Sequence, residues 1–102
     1  MSKTLPIQLP QTKIVEFCQR YHIHKLSLFG SILREDFGPS SDVDFLVEFE
    51  PDYIPGLIRL AGMELELSEI IGRKADLRTP GDLSRYFRQK VLDSAIVQYV
   101  KD

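Results

Sequence analysis

Two carboxylates one residue apart open a hydrophobic run near the middle of the chain, Asp42-Val43-Asp44-Phe45-Leu46-Val47. Because side chains alternate between the two faces of an extended strand, Asp42 and Asp44 are expected to lie side by side on one face. Like charges held so close repel each other unless a cation lies between them. A hard divalent ion such as Mg²⁺ binds one or two carboxylates and completes its octahedron with water and substrate phosphates. The pair therefore predicts half of a metal-nucleotide site.

Gly30 and Ser31 end an earlier hydrophobic run and supply the complementary half. Glycine lets the backbone approach a ligand closely, and serine can direct its hydroxyl and amide toward a phosphate oxygen. Residues 32–36 are expected to form a short helix whose first amides favour an anion. A purely structural interpretation stays open, with Ser31 as a helix cap and residues 38–42 as an ordinary turn. The paired aspartates favour function, because strands are depleted in Asp.

The composition is that of an ordinary globular protein, with 102 residues, 43% hydrophobic and 27% charged, and it predicts one domain over residues 1–102. A net charge of -2 argues against nucleic-acid binding through overall positive charge. The only cysteine, Cys18, cannot form an intrachain disulfide, and no apolar run has the length of a membrane span or the form of a signal peptide. We therefore expect a cytoplasmic protein that does not contact a membrane.

Apolar spacing divides the chain into alternating helices and strands. The expected elements are an irregular lead-in over 1–10, a helix over 11–21, strands over 26–29, 42–49 and 74–78, a helix over 57–71 that stops at Gly72, and a C-terminal helical segment over 82–102 whose last helix covers 86–100. Strands interspersed with helices predict an α+β fold, an α/β sandwich with helices packed on a small mixed sheet.

Several side chains are expected to be structural. Ile14, Phe17, Cys18 and Tyr21 fall on one stripe of the first helix, so Cys18 is interpreted as a core residue. Val43, Phe45 and Val47 should be buried on the face opposite the aspartates, with Leu46 on the carboxylate side. His22 and His24 lack further ligands at metal-binding spacing. Glu64, Glu66 and Glu69 are interpreted as a solvated helix face.

The pattern Gly30-Ser31, about ten residues, then Asp42-x-Asp44 resembles the nucleotidyltransferase superfamily that includes DNA polymerase beta and the kanamycin-type aminoglycoside nucleotidyltransferases. The surrounding run LFGSILREDFGPSSDVDFLVEF resembles most closely the minimal nucleotidyltransferases, the MntA-type antitoxins of HEPN/MNT toxin–antitoxin pairs. The resemblance implies the nucleotidyltransferase fold. It also implies a third carboxylate, for which Asp76 is the matching residue. Arg78 departs from the family, which commonly has an apolar residue there, and Asp76 as a solvated edge residue remains the alternative.

The resemblance further implies transfer of AMP from ATP to a hydroxyl, with release of pyrophosphate. Asp42, Asp44 and Asp76 would be the catalytic and metal-binding residues, holding two Mg²⁺ ions. Gly30 and Ser31 would bind the β and γ phosphates, and Arg34 would offset charge on the leaving pyrophosphate.

The short chain leaves little sequence for an acceptor domain, so the acceptor is expected to be presented by another molecule. The resemblance implies a HEPN-domain ribonuclease toxin as the partner, with a tyrosine hydroxyl as the acceptor and neutralisation of the toxin as the result. Two alternatives stay open. One is an antitoxin that acts by binding and occlusion without catalysis, and the other is transfer to a small-molecule hydroxyl.

Overall fold

The structure is a computed structural model that describes residues 8–34 and 37–101. It contains three helices, α1 (Gln11–Arg20), α2 (Leu57–Ile71) and α3 (Arg85–Ser94), and four strands, β1 (Ile23–Phe29), β2 (Val43–Phe49), β3 (Ala75–Arg78) and β4 (Ile96–Val100). Short 3₁₀ helices cover Gly30–Leu33, Pro51–Tyr53 and Pro80–Asp82. Most of the predicted lead-in over 1–10 lies outside the described residues. In the described ranges no helix is both long enough and apolar enough to cross a bilayer.

The four strands form one mixed sheet in the order β3-β2-β1-β4. Strand β1 runs antiparallel to both β2 and β4, whereas β3 runs parallel to β2. The parallel connection from β2 to β3 passes through α2, as a crossover between parallel strands requires. The predicted α+β fold with a small mixed sheet flanked by helices is confirmed.

The core lies on one face of this sheet, between the strands and helices α1 and α2. The fully buried side chains of this face include the predicted alternating residues Val43, Phe45 and Val47, all 0% exposed. The core joins them to residues of α1, α2 and the neighbouring strands: Ile14, Phe17, Cys18, Leu26, Leu28, Met63, Leu67, Ala75 and Leu77. Leu46 is also buried, on the opposite face that carries Asp44.

Helix α1 buries three of the four residues of the predicted stripe, and Tyr21, which follows the helix, is partly buried. Ile14, Phe17 and Cys18 are fully buried, and burial raises the pKa of the Cys18 thiol to about 12. Cys18 is therefore a core residue, as predicted. Helix α2 ends at Gly72, which adopts a left-handed conformation with φ 74° as a glycine stop does. Helical spacing in the sequence predicts an apolar stripe on α2, and only its first residue is exposed, Leu57 at 85%. The other members are buried or partly buried: Leu60, Met63, Leu67 and Ile70.

The predicted last helix is wrong in its second half. Helix α3 ends at Ser94, Ala95 is extended, and Ile96–Val100 forms strand β4 beside β1. The run Ile-Val-Gln-Tyr-Val is rich in β-branched and aromatic residues, which favour strands. Pairing with β4 also gives hydrogen-bond partners to the backbone groups of β1 that would otherwise lie unpaired at the edge of the sheet. The C-terminal segment over 82–102 is therefore part helix and part strand.

The short helix predicted over residues 32–36 begins earlier than expected. A single 3₁₀ turn covers Gly30–Leu33, Arg34 is already extended, and residues 35 and 36 lie outside the described ranges. Ser31 lies inside this turn, and the residue that precedes the turn is Phe29, so Ser31 is not the cap of a helix. A 3₁₀ turn this short has little of the aligned dipole of an α-helix. The predicted short helix is therefore wrong in its type and bounds, and phosphate binding at this turn stays a prediction.

Candidate active site

Three adjacent strands bring the predicted site residues together. Asp44 on β2 is the register partner of Phe29 at the end of β1 and of Asp76 on β3. Register partners on neighbouring strands share a face and lie on strands roughly 5 Å apart. The bend at Gly30, the Asp44 carboxylate and the Asp76 carboxylate therefore lie in one row across the sheet.

Gly30 lies directly against the Asp44 carboxylate. Its φ of +74° is a conformation that favours glycine, and a Cβ atom added there would lie 2.5 Å from Asp44 Oδ2. The sequence predicts a close backbone approach at Gly30, and the structure shows that the group approached is this carboxylate. A side chain at position 30 would displace either the bend or Asp44.

Ser31 joins the bend to the start of β2. Its hydroxyl donates to the Asp42 carbonyl oxygen at 2.9 Å and lies 3.5 Å from Asp44 Oδ2, and its amide donates to the same Oδ2 at 3.4 Å. Ser31 thus holds the two halves of the predicted site together. The long contacts to Asp44 are weak hydrogen bonds that a phosphate oxygen can replace.

Asp44 lies where its negative charge is unfavourable. Partial burial raises the pKa of the Asp44 carboxyl, the Ser31 amide opposes this rise, and the charges of Asp76 and Asp42 add to it. A bound cation reverses such a penalty, because it favours the ionised form of every neighbouring carboxylate. The electrostatics of Asp44 therefore fit a residue that binds a cation.

The donor set is suited to Mg²⁺ only when a substrate contributes ligands. Over residues 8–34 and 37–101, no three His, Cys, Asp or Glu side chains are grouped closely enough to hold a metal ion by themselves. Mg²⁺ in nucleotide sites usually takes one or two carboxylates and fills its other positions with phosphate oxygens and water. Asp42, Asp44 and Asp76 fit that kind of shared site.

Asp42 precedes β2 and is positioned by the turn before it. The Arg73 guanidinium donates to the Gly38 carbonyl and, at 3.0 Å, to the Ser41 carbonyl, and it lies 4.5 Å from the centre of the Phe37 ring. The predicted turn is therefore anchored by a side chain that follows α2. Sequence reasoning passed over this arginine, because its contact is made across more than 30 residues.

Lys74 is a second residue that the sequence reasoning missed. Its Nζ lies 3.8 Å from Asp42 Oδ2, with side-chain exposures of 70% for Lys74 and 42% for Asp42. Such an exposed pair contributes little to stability. Its ammonium group provides positive charge beside the site. Lys74 directly precedes β3, and the register of β3 on β2 places it beside the start of β2, which the sequence alone does not indicate.

Asp76 is held in place from the outer side of its strand. The Ala75 amide donates to Ser68 Oγ at 2.8 Å, and the Leu77 amide donates to Glu64 Oε2 at 2.7 Å. These two side chains of α2 satisfy the outward backbone groups of edge strand β3. The half-buried Asp76 therefore faces Asp44 in a fixed register.

The solvated interpretation of the α2 glutamates is wrong for two of the three. Glu64 accepts the Leu77 amide, and Glu66 accepts the Tyr21 hydroxyl at 2.6 Å and pairs with Arg20. Only Glu69 is simply exposed. Glu64 joins α2 to β3, and Glu66 joins α2 to α1.

A model of the nucleotidyltransferase domain family matches residues 12–98, most of the chain. The chain belongs to this family. The protein adenylyltransferase MntA of Thermococcus cleftensis is 31% identical over 81 residues, which cover 79% of this chain and 80% of the relative. A protein of Methanocaldococcus jannaschii, provisionally named a protein adenylyltransferase, is 29% identical over 84 residues, which cover 82% and 88%.

Solved structures agree with the fold of this nucleotidyltransferase. A protein provisionally described as a minimal nucleotidyltransferase superposes with a TM-score of 0.69 at 29% identity, covering 84% of this chain and 86% of that one. A toxin–antitoxin complex with AMP-PNP gives 0.73 at 19% identity, covering 92% and 76%. A tri-AMPylated HEPN toxin of Shewanella oneidensis in complex with its MNT antitoxin gives 0.65 at 18% identity, covering 89% and 70%.

Arg34 lies beside the bend of the nucleotidyltransferase and is exposed. With Gly30 it lines a groove of about 750 Å³ between the end of β1 and helix α3. A second groove, of about 460 Å³, lies at the opposite end of β1, near His22 and Glu50. The carboxylate in that second groove is already paired with Lys101, and the groove contains none of the predicted site residues.

Proposed function

We propose that this nucleotidyltransferase transfers AMP from ATP to a tyrosine hydroxyl of a HEPN-domain ribonuclease toxin and thereby neutralises it. The observation that carries the proposal is the row formed by the Gly30–Ser31 bend, Asp44 and Asp76 across three strands. The names of the relatives support adenylyl transfer. The AMPylated toxin in complex with an MNT antitoxin supports the class of partner.

In the proposed reaction, the tyrosine oxygen attacks the α-phosphorus of ATP, the bond to the β-phosphate oxygen breaks, and pyrophosphate leaves. Asp76 takes the proton of the hydroxyl, either directly or through water. The Gly30–Ser31 backbone and the Ser31 hydroxyl bind the β and γ phosphates, and Arg34 offsets the charge of the leaving group.

Asp42, Asp44 and Asp76 would hold two Mg²⁺ ions, which stabilise the attacking and leaving oxygens of an in-line displacement. The raised pKa of Asp44 supports this role, because a carboxylate that is costly to ionise alone gains most from a cation. The AMP group added to the toxin carries bulk and negative charge, which oppose RNA binding near the modified tyrosine.

The test uses intact-mass measurement of a HEPN-domain toxin encoded beside this protein, incubated with ATP, Mg²⁺ and the nucleotidyltransferase. We expect a gain of one AMP group or a whole multiple of it. The double variant Asp42→Asn/Asp44→Asn should lower the transfer rate by about 100-fold or more. The matched control Asp52→Asn, an exposed aspartate outside the site, should transfer at the normal rate. Normal transfer by the double variant would overturn the proposal.

A second function, neutralisation by occlusion alone, is favoured by one observation. Ile54, Leu57 and Ile58 expose 71%, 85% and 91% of their surface at the start of α2, and clustered exposed apolar side chains often mark a protein interface. The same double variant separates the two functions in cells that express the toxin. Protection that persists without AMP transfer supports occlusion, whereas loss of protection supports catalysis.

A further inference from the structure

The groove beside Gly30 is built from two elements. One wall is the end of β1 and the 3₁₀ turn, with Phe29, Gly30 and Leu33, and the other is a single face of α3. That face consists of Phe87, Lys90, Val91 and Ser94, which are spaced i, i+3, i+4 and i+7 as one side of a helix requires. The volume of the groove, about 750 Å³, lies in the common range for small-molecule sites, about 300–1,000 Å³.

The lining combines an apolar surface with positive charge. Phe29, Leu33, Phe87 and Val91 are apolar, Arg34 and Lys90 are cations, and among residues 8–34 and 37–101 no acidic side chain lines the groove. Phe87 is 63% exposed, so an aromatic ring is presented at the surface without a full set of packing partners. A ligand with both a planar aromatic group and several negative charges matches this surface.

The position of the groove indicates that it binds the nucleotide and not the acceptor. Asp76 lies on β3, on one side of Asp44, whereas the bend lies on the β1 side and the groove lies beyond it, toward β4. In an in-line displacement the acceptor and the leaving group occupy opposite sides of the α-phosphorus. An acceptor that meets Asp76 therefore leaves the Gly30 side, and the groove next to it, for the leaving pyrophosphate.

We infer that this groove binds the nucleoside triphosphate, with the base stacked against Phe87 and the Lys90 ammonium, one helical turn away, bound to the β or γ phosphate. Helix α3 then provides the base contact that the Gly30-Ser31 and Asp42-x-Asp44 motifs lack, and it adds one phosphate contact to those of Gly30 and Ser31. The inference rests on the proposed nucleotidyl transfer for its orientation. It assigns ATP recognition to a part of the chain for which the sequence carried no recognition motif.

The test compares two probes, Mg-ATP and inorganic tripolyphosphate, by isothermal titration calorimetry on the full chain. Phe87→Ala should weaken ATP binding by about tenfold, as loss of a base–aromatic stack does, and should leave tripolyphosphate binding unchanged. Lys90→Gln should weaken both probes by about tenfold, the loss of one charge-assisted contact. The controls are Tyr86→Ala, 79% exposed on the same helix, and Arg85→Gln, neither of which lines the groove. Both controls should bind as the natural protein does.

Two outcomes would overturn the inference. The first is unchanged ATP affinity in Phe87→Ala with a raised KM for the HEPN protein, which would assign the groove to the acceptor. The second is an equal loss of ATP affinity in Phe87→Ala and Tyr86→Ala, which would indicate a general effect on α3. Phe87→Leu keeps apolar volume, so it should keep the melting temperature while weakening ATP binding alone.

Failure of the proposed function gives a different result. If ATP binding depends on Phe87 and Lys90 but no HEPN protein gains mass, the groove assignment stands and the acceptor is wrong. If the HEPN protein gains AMP while both variants bind ATP normally, the acceptor stands and the groove assignment is wrong.

Discussion

At the scale of single residues, the site depends on a close contact between a glycine and a carboxylate. The Gly30 backbone occupies the space beside Asp44 Oδ2, and the Ser31 amide donates to the same oxygen. Any side chain at position 30 would be destabilising for two reasons, because φ would be strained and because the Cβ atom would clash with the Asp44 carboxylate. This contact is therefore the most sensitive packing feature of the site.

Substituting Gly30→Ala should lower the unfolding free energy by about 1–2 kcal/mol, because of the left-handed backbone, and should lower the transfer rate by about 100-fold by moving Asp44. The matched control is Gly62→Ala in the exposed middle of α2, where no atom lies within 4 Å of the added Cβ. That control should raise the unfolding free energy by about 0.5–1 kcal/mol. Chemical denaturation and AMP transfer are the measurements, and a fully active Gly30→Ala variant would contradict this account.

The Asp44 carboxyl sets the expected pH dependence. Because burial and the charges of Asp76 and Asp42 raise the pKa of Asp44 in the folded state, its contribution to stability is present below the unfolded pKa. That contribution is lost as the pH rises through the folded pKa. Without metal, Asp44→Asn should therefore raise the melting temperature at neutral pH but not in acid. Mg²⁺ with ATP should raise the melting temperature of the natural protein more than that of the variant, and a lower melting temperature for Asp44→Asn without metal would contradict this.

At the scale of elements, α2 fixes the position of β3 through side chains. Among the strands of the described residues, β3 has only β2 as a neighbour, and its outward amides donate to side chains of Ser68 and Glu64. The Leu77 side chain beside this contact is buried. The register of Asp76 against Asp44 therefore depends on a helix whose residues take no part in chemistry.

Replacing Glu64 by Ala should lower the unfolding free energy by about 1–3 kcal/mol, because the Leu77 amide loses its acceptor. The transfer rate should fall as well, since Asp76 is the residue next to it. Glu64→Gln keeps an acceptor oxygen and should restore most of both quantities, while the exposed Glu69→Ala should change neither. Denaturation curves and transfer rates measure these effects. Equal stability of the Glu64→Ala and Glu69→Ala variants would show that this contact does not hold β3.

The contrast between α3 and β4 shows where the sequence was sufficient and where it was not. Residues 86–100 carry apolar side chains at a spacing that fits a continuous helix. The β-branched composition of Ile96–Val100 favours a strand, and pairing with β1, about 70 residues earlier, stabilises it. By contrast, helices α1 and α2 and the stop at Gly72 follow from local signals and were predicted. Contacts between distant parts of the chain account for the error.

At the scale of the whole molecule, some site residues follow from local sequence signals and others only from contacts between distant parts of the chain. Gly30, Ser31, Asp42 and Asp44 lie within one short stretch, so their types and spacing were sufficient to single them out. Asp76 needed the resemblance, because its register against Asp44 is set by a crossover through α2. Arg73 and Lys74 make contacts that only the folded chain creates, and Lys90 belongs to a groove that only the fold creates.

The charge distribution also becomes clear only in the folded molecule. The chain as a whole has a net charge of -2, yet in the part of the chain that the structure describes, Arg34 and Lys90 line the groove and Lys74 lies beside Asp42. A local concentration of positive charge attracts a polyphosphate even when the net charge is negative. We expect ATP binding to weaken as the salt concentration rises.

In the proposed mechanism, Asp42, Asp44 and Asp76 share divalent ions with a triphosphate beside the Gly30–Ser31 bend. Anomalous diffraction from crystals grown with Mn²⁺ and a nonhydrolysable ATP analogue locates these ions. We expect metal peaks about 2.0–2.3 Å from carboxylate oxygens of Asp42 and Asp44, with Asp76 bound to a second peak. A triphosphate bound elsewhere, or metal peaks that none of the three carboxylates contacts, would contradict this mechanism.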